Sequence, residues 1–311
     1  MVAERITVGV YALDRVILPN PAGAKGWAAR LAEALPVLAK DAEPVGISLS
    51  EGQEGLVLAE DTALGAGHPA GSAVTVEPVG GRPGLFLVRV GGRVAGLSSA
   101  APWQPEGEPL LRDALGRPQA LAAYVSGTVI DTPDGLRPVE TLAAGDAVTT
   151  LGNGSRPLRW VGQRRVEAVE LLAHPGLRPV AFGPGALGNA RELLVSPQQR
   201  VLIDDWRAAV YFGEDRVLVA AQALVDDQAA RVVLPGSGVD YVMLFCDRHE
   251  VLLAEGALSE SFHPGEAGLE ALPPAERARL AGVCPEPDLL RRRAAFPIVH
   301  NAEARALRLN S

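Results

Sequence analysis

"LAAYVSGTVIDTPDGLRPVETLAAGDAVTT" spans Leu121–Thr150, and its reading decides the fold of the chain. "GTVID" (Gly127–Asp131) and "AVTTL" (Ala147–Leu151) are short runs rich in β-branched residues, the composition of strands. Between them, "TPDGLRPV" (Thr132–Val139) supplies a Pro133-Asp134-Gly135 turn. Proline presets one backbone angle of such a turn, and glycine takes the left-handed one.

The same texture continues to about His263. "LRWVGQRRV", "LLVSP", "RVLIDD", "VLVAA", "YVMLFCD" and "HEVLLAEG" are short Val- and Leu-rich runs bounded by turn residues. Beyond it, "PGEAGLEALPPAERARLAGVCPEPDLLRRRAAF" (Pro264–Phe296) has Ala, Leu, Glu and Arg at helical spacing, broken by prolines. It predicts one or two helices.

Upstream, "ITVGVYAL", "GISLS", "GLVLAE" and "SAVTVEPV" predict further strands of a sandwich or barrel-like β structure. "VRVGGRVAGL" predicts two strands joined at Gly91-Gly92. The exception is "KGWAARLAEALPVLAK". Its Trp27, Leu31, Leu35 and Leu38 recur at helical spacing, so a helix disturbed at Pro36 is expected. Between Ala100 and Gln119 the prolines multiply and periodicity fades, which marks a linker.

The chain is thus expected to be mostly β. Residues 1–115 form an N-terminal β-rich domain, 116–265 an all-β domain and 266–311 a helical C-terminal extension. Its 311 residues suffice for two cores, and 48% apolar content suits a soluble globular protein. A net charge of −8, spread without long charged runs, argues against nucleic-acid binding, which needs a basic patch. Arg291, Arg292 and Arg293 are adjacent and read as a solvated helix face. No apolar run approaches the roughly 20 residues of a membrane span. The N-terminus, with Glu4 and Arg5, makes a poor signal peptide. Synthesis in the cytoplasm is expected. Lysine is nearly absent (Lys25 and Lys40).

Leu121 to about Phe262 resembles the Hint fold of hedgehog autoprocessing domains and inteins, and most closely the bacterial Hint domains common in alphaproteobacteria. The resemblance rests on ordered blocks: Gly127-Thr128, Thr132-Pro133-Asp134-Gly135, Pro138-Val139-Glu140-Thr141-Leu142 and Gly145-Asp146-Ala147-Val148. "LRWVGQRRV", "LLVSPQQRVLI" and "CDRHEVLLAEGALSES" follow in the family's order. In active relatives a cysteine at the first position attacks the preceding carbonyl, and a histidine on a Ser/Thr-x-x-His strand protonates the leaving nitrogen. Later Asp and His residues assist.

This sequence departs at both central positions. Ala123 stands where the cysteine belongs, and Gln199 replaces the histidine in Ser196-Pro197-Gln198-Gln199. A methyl group cannot attack a carbonyl, and a carboxamide cannot shuttle a proton near neutral pH. Asp247 and His249 persist from the implied site and are expected to make structural hydrogen bonds. Ser126 reads as a turn hydroxyl, Cys246 as a small buried hydrophobe, and Cys284 as a lone thiol. Val299-His300-Asn301 imitates the end of an intein, but too late in the chain. His68 and His174 are isolated, and no metal-ligand spacing occurs. "GPGALGNAREL" (Gly183–Leu193) lacks the Gly-Lys-Ser/Thr of a phosphate loop.

The first functional expectation is a non-catalytic structural or interaction protein on a degenerate Hint scaffold, without cofactor or metal. Its partners would be proteins of a larger assembly: further copies of itself, or capsid and spike proteins. One such setting is a phage-like particle, for example the head spike of a gene transfer agent, suggested by the family's bacterial context and by an arginine- and alanine-rich composition. The second is an autoprocessing enzyme frozen at Ala123; Gln199 weighs against it, because a trap needs only one change. The third is a glycan- or surface-binding module in residues 1–115, with Trp27, Trp103, Tyr11 and Phe86 as its aromatic candidates.

Overall fold

The structure, a computed structural model, describes residues 5–17, 31, 36–65, 67–80, 82, 84–100 and 121–307. Two compact units divide the chain. The first is Met1–Leu115 with Val166–Pro175 and Leu234–Gly238; the second is Gly116–Arg165, Gly176–Val233 and Val239–Ser311. Strands dominate, as the sequence predicts.

The first unit is built on β1 (Ile6–Ala12), β2 (Val16–Ile17), β3 (Val37–Leu38), β4 (Val45–Gly52), β5 (Gly55–Leu58), β6 (Val74–Pro78), β7 (Leu85–Val90) and β8 (Arg93–Ser99). Six of them form one sheet in the order β5-β4-β1-β8-β7-β6. In β1 the residues Ile6, Val8, Val10 and Ala12 face the core while their neighbours face outward, the period-two pattern of a half-buried strand. The Gly91-Gly92 hairpin forms as predicted: Val90 pairs with Arg93, and both glycines have positive φ, 57° and 77°. Gly96 is required by close approach, since a Cβ there would lie 2.3 Å from the Tyr11 carbonyl oxygen.

Helix α1 (Ala168–Ala173) belongs to this unit although it lies far along the chain. Glu167 and Glu170 close its first turn with a reciprocal capping box. Ala168, Val169 and Leu172 then join a core of Ile6, Val8, Val10, Ile47, Leu49, Phe86 and Val88. Most of the helix expected over 25–40 lies outside the described residues. Its end is a strand instead: Val37–Leu38 pairs with Val16–Ile17 just after Pro36, which cannot donate within a helix. The linker expected over 100–119 lies almost wholly outside the described residues.

The second unit contains β9 (Tyr124–Val125), β10 (Val129–Thr132), β11 (Gly135–Pro138), β12 (Ala147–Thr150), β13 (Gly154–Val166), β14 (Val180–Phe182), β15 (Leu193–Val195), β16 (Arg200–Ile203), β17 (Val217–Ala220), β18 (Ala230–Val232), β19 (Val239–Cys246), β20 (Val251–Ala254) and β21 (Ala257–Glu260). They run β17-β16-β21-β20-β12-β13-β19-β9-β15-β14-β18, with β10 on β20 and β11 on β10. Thr132 faces Gly135 across the predicted Pro-Asp-Gly turn, and its hydroxyl donates to the Gly135 carbonyl at 2.6 Å. Tyr124, Ile130, Val139, Val148, Leu244 and Leu252 anchor the core.

Helix α2 (Trp206–Phe212) links β16 to β17. The proline-broken C-terminal stretch holds three helices rather than one or two: α3 (Glu266–Glu270), α4 (Pro274–Val283) and α5 (Glu286–Leu290). Pro274 and Pro287 sit in first turns, where a missing N–H costs nothing, so each proline pair starts a new helix. The three arginines do not make a solvated helix face. They follow α5, and Arg292 turns inward over the Phe245 ring and donates to the Cys246 carbonyl at 2.8 Å. The chain then returns to the sheet. Ile298 bridges Leu218, and α6 (Asn301–Ala304) delivers Ala304, with Val299 and Leu307 beside it, to the main core.

Candidate functional site

Ala123 sits where β9 begins, fully buried. Its N–H donates to Ser196 Oγ at 3.0 Å, and its carbonyl accepts from the Ser196 N–H at 2.9 Å. Ser196 Oγ also donates to the Leu121 carbonyl. A single serine thus holds the backbone on both sides of Ala122. Ser196 is fully buried, so these bonds form out of water and fix the junction.

Gln199 stands one short turn further on, with its own N–H on the Ser196 carbonyl. Its carboxamide is committed to β21: Nε2 donates to Ser259 Oγ at 2.8 Å and to the Glu260 carbonyl at 2.7 Å. The Tyr124 hydroxyl donates to that same carbonyl at 2.8 Å. Burial pushes the Tyr124 phenol far above its ordinary value, so it acts as a fixed donor.

The Glu260 carboxylate is the centre of this buried network. The Arg200 N–H donates to Oε1 at 3.0 Å, and Arg200 Nη1 reaches both oxygens, at 3.2 and 2.9 Å. His249 Nε2 approaches Oε2 at 3.1 Å, out of line for a good hydrogen bond. Its Nδ1 accepts from the Ala295 N–H at 3.0 Å. That bond fixes the orientation of the ring and leaves Nε2 on the Glu260 side. The His263 ring stacks on His249, 4.3 Å away and 11° from parallel. Burial, and then the neighbouring His249, push the pKa of His263 down to about 4.

The predicted residues therefore separate. Ala123 and Ser196 are in contact, and Gln199 and His249 meet through Glu260. Asp247 lies apart on the surface, 62% exposed, in an ion pair with Arg159 at 3.1 Å. The sequence reading missed Tyr124, Arg200, Glu260 and His263. Of these, Arg200 and Glu260 stand inside the blocks "LLVSPQQRVLI" and "CDRHEVLLAEGALSES", which is the available signal. His263 shares a cavity wall with Ala122, together with Gln198, Arg200, Gln222 and Phe262.

Other candidates resolve as packing or turns. Ser126 occupies a tight turn with Gly127 at φ 92°, held by the Glu140 carboxylate on the Gly127 N–H at 2.8 Å. Cys246 is buried in β19, and burial pushes its thiol up to about 12. Cys284 caps α4. His300 and Asn301 open α6 on the surface. His174 packs edge-on against Phe86. In the Gly183–Leu193 loop, the buried Asn189 amide donates to the Gly183 and Arg191 carbonyls at 2.9 and 2.7 Å and closes the loop on itself. Of the aromatic candidates in the first unit, Phe86 is a core residue and Tyr11 is half-buried; Trp27 and Trp103 lie outside the described residues.

The surviving motif blocks have structural reasons. Asp146 accepts from the Ala143 N–H at 2.9 Å and turns the chain into β12. Trp160 and Gly162 share a face of β13, and the indole lies where a side chain at 162 would be: a Cβ there would be 1.9 Å from the ring. The Arg-Trp-hydrophobic-Gly pattern is thus a packing unit, completed by Phe262 at 5.6 Å.

The strands from β9 to β21, the buried junction at β9 and the Ser-x-x-Gln turn beside it all fall within residues 122–266. Residues 122–266 match the family model of the Hint domain, and this region of the chain is a Hint domain. Among solved structures, a bacterial intein-like domain from Clostridium thermocellum is similar at 14% identity and a TM-score of 0.32, covering 45% of this chain and 98% of that one. The gp41-1 intein is similar at 10% identity and a TM-score of 0.29, covering 44% and 96%. No curated protein matches the chain. No helix among the described residues is long and apolar enough to cross a membrane.

Proposed function

We propose that this Hint domain is a non-catalytic scaffold that serves interaction within a larger protein assembly. The observation that carries the reading is the side-chain chemistry at the junction. Ala123 offers a methyl group beside the Ala122 carbonyl, and the Gln199 amide is committed to Ser259 and Glu260. Acyl transfer needs an activated nucleophile and a proton for the departing nitrogen, and these two positions supply neither. Cys246 does not compensate, because its thiol is buried and held protonated.

The setting we favour is a phage-like particle, such as the head spike of a gene transfer agent. The bacterial Hint domains that the sequence resembles and the arginine- and alanine-rich composition support it. Intact-mass analysis of the purified chain over days tests the catalytic half of the proposal. A single undivided mass is expected. A fragment ending at Ala122 would return the chain to the autoprocessing class. The assembly half is tested by sizing the native protein from its source cells, where a particle-sized complex is expected and a lone monomer would refute it.

A further inference from the structure

We propose that the groove beside α2 docks a segment of another protein in which arginine or lysine alternates with aliphatic residues. This names the partner chemistry for the interaction reading above, but it rests on a different face of the second unit and not on the junction.

Helix α2 is amphipathic in the wrong sense for a solvated helix. Asp205 caps it, accepting from the Arg207 N–H at 2.8 Å, and Gly213 ends it at φ 69°. The buried residue within it is the small Ala208, whereas Trp206, Val210 and Tyr211 are 69%, 66% and 52% exposed. Trp206 and Val210 lie one turn apart, so both face the same way. Contiguous apolar surface of this kind on a soluble domain marks an interaction site.

A groove runs alongside. Trp206, Ala209, Phe296 and Pro297 line its apolar part; Asp204, Asp205, Glu214 and Asp215 outnumber the one basic residue, Arg216, on its charged part. Phe296 packs against the buried Leu202, Leu218 and Val251, so this side is firm. Asp204 pairs with Arg216 at 2.9 Å, and Asp205 with Arg207 at 2.8 Å. Glu214 and Asp215 are exposed and make no ion pair among the described residues.

That charge pattern selects the occupant. Two uncompensated carboxylates next to an exposed indole suit a guanidinium or ammonium, which can stack on the ring and meet a carboxylate together. Aliphatic neighbours of the cation then cover Ala209, Phe296 and Pro297. A two-fold contact between copies would set Glu214 and Asp215 against themselves, which opposes self-pairing. An anionic lipid surface or a nucleic acid meets the same repulsion, and a neutral glycan leaves the two carboxylates without a counter-charge.

The test is fluorescence anisotropy of a labelled peptide of alternating arginine and leucine, titrated with the full chain. A copy with glutamate for arginine serves as control. Saturable binding is expected for the basic peptide alone. It should weaken about tenfold or more in Trp206→Ala, as for an aromatic anchor, and about two- to fivefold in Glu214→Gln/Asp215→Asn. These side chains are exposed, and circular dichroism verifies that the variants fold. Equal binding to natural chain and both variants would overturn the proposal, as would absence of saturation. So would a dimer in sedimentation that Trp206→Ala dissolves, or a glycan that displaces the peptide from the groove. An undivided mass alongside failed peptide binding would refute this inference and leave the scaffold reading standing.

Discussion

Gln199 Nε2 lies 2.7 Å from the Glu260 carbonyl oxygen, so the position that carries histidine in active relatives ties β16 to β21. The bond sits in a fully buried setting and is shared with Ser259. Replacing Gln199 by Leu removes both bonds and leaves the Tyr124 hydroxyl as the remaining side-chain donor to that carbonyl. The expected loss is about 1–3 kcal/mol, read from urea unfolding. An unchanged midpoint would mean that the amide has no structural task.

Ser196 makes a second, local prediction. Ser196→Ala deprives the Ala123 N–H of its acceptor and the Leu121 carbonyl of its donor, both out of water. Stability should fall by about 1–3 kcal/mol. Hydrogen exchange at the Ala123 amide should accelerate more than exchange along β19. Uniform acceleration across the unit would show that the serine does not hold the junction in particular.

Gly162 tests the packing of the Trp160 block. A Cβ at 162 would lie 1.9 Å from the indole, so Gly162→Ala must displace the ring from its place against Phe262. Overpacking of this kind costs about 1–3 kcal/mol or more. The cost should shrink in a Trp160→Leu background, a coupling that thermal unfolding of the four proteins of the cycle measures directly.

His263 gives stability a pH dependence. Its pKa is lowered from 6.5 to about 4 in the folded chain, mainly by burial. Between those values the unfolded chain binds a proton that the folded chain does not. This contribution is complete above pH 6.5 and is lost as pH falls toward 4. Acidification across that window should therefore destabilise the protein, and His263→Asn should flatten the slope. An equal slope in both proteins would assign the dependence to other groups.

What could be read from sequence alone was what short-range chemistry fixes. Gly91-Gly92 and Pro133-Asp134-Gly135 form their turns because the flanking angles are set locally. Ala123 and Gln199 were placed by motif spacing. Distant partners were not legible. Nothing within α1 says that Val169 and Leu172 will join Ile6 and Val8 rather than the strands next to them in sequence. The three-helix division of Pro264–Phe296 follows from where the prolines cap, which periodicity alone does not resolve. His263 lacks a motif of its own, and its place beside Ala122 emerges when β21 delivers it there.

Ala123→Cys and Ala123→Cys/Gln199→His together separate loss of chemistry from loss of geometry. The substituted thiol would attack the Ala122 carbonyl carbon, forming a thioester as the peptide nitrogen leaves as an amine and takes a proton. Added dithiothreitol would then carry off the first 122 residues as its thioester. In the single variant the proton that the thiol gives up lacks a carrier to the nitrogen: Gln199 cannot take and return one, and the lowered pKa of His263, which shares the cavity with Ala122, makes it a poor relay at pH 7. The single variant should keep its full mass, and the double variant should divide between residues 122 and 123 when thiol is added. Cleavage by the single variant would show that His263 or another group already supplies the proton, and Gln199 would cease to matter as a lost acid. An inert double variant would mean that the backbone fixed by Ser196 no longer presents its carbonyl for attack, so that the scaffold has drifted in geometry as well as in residue type.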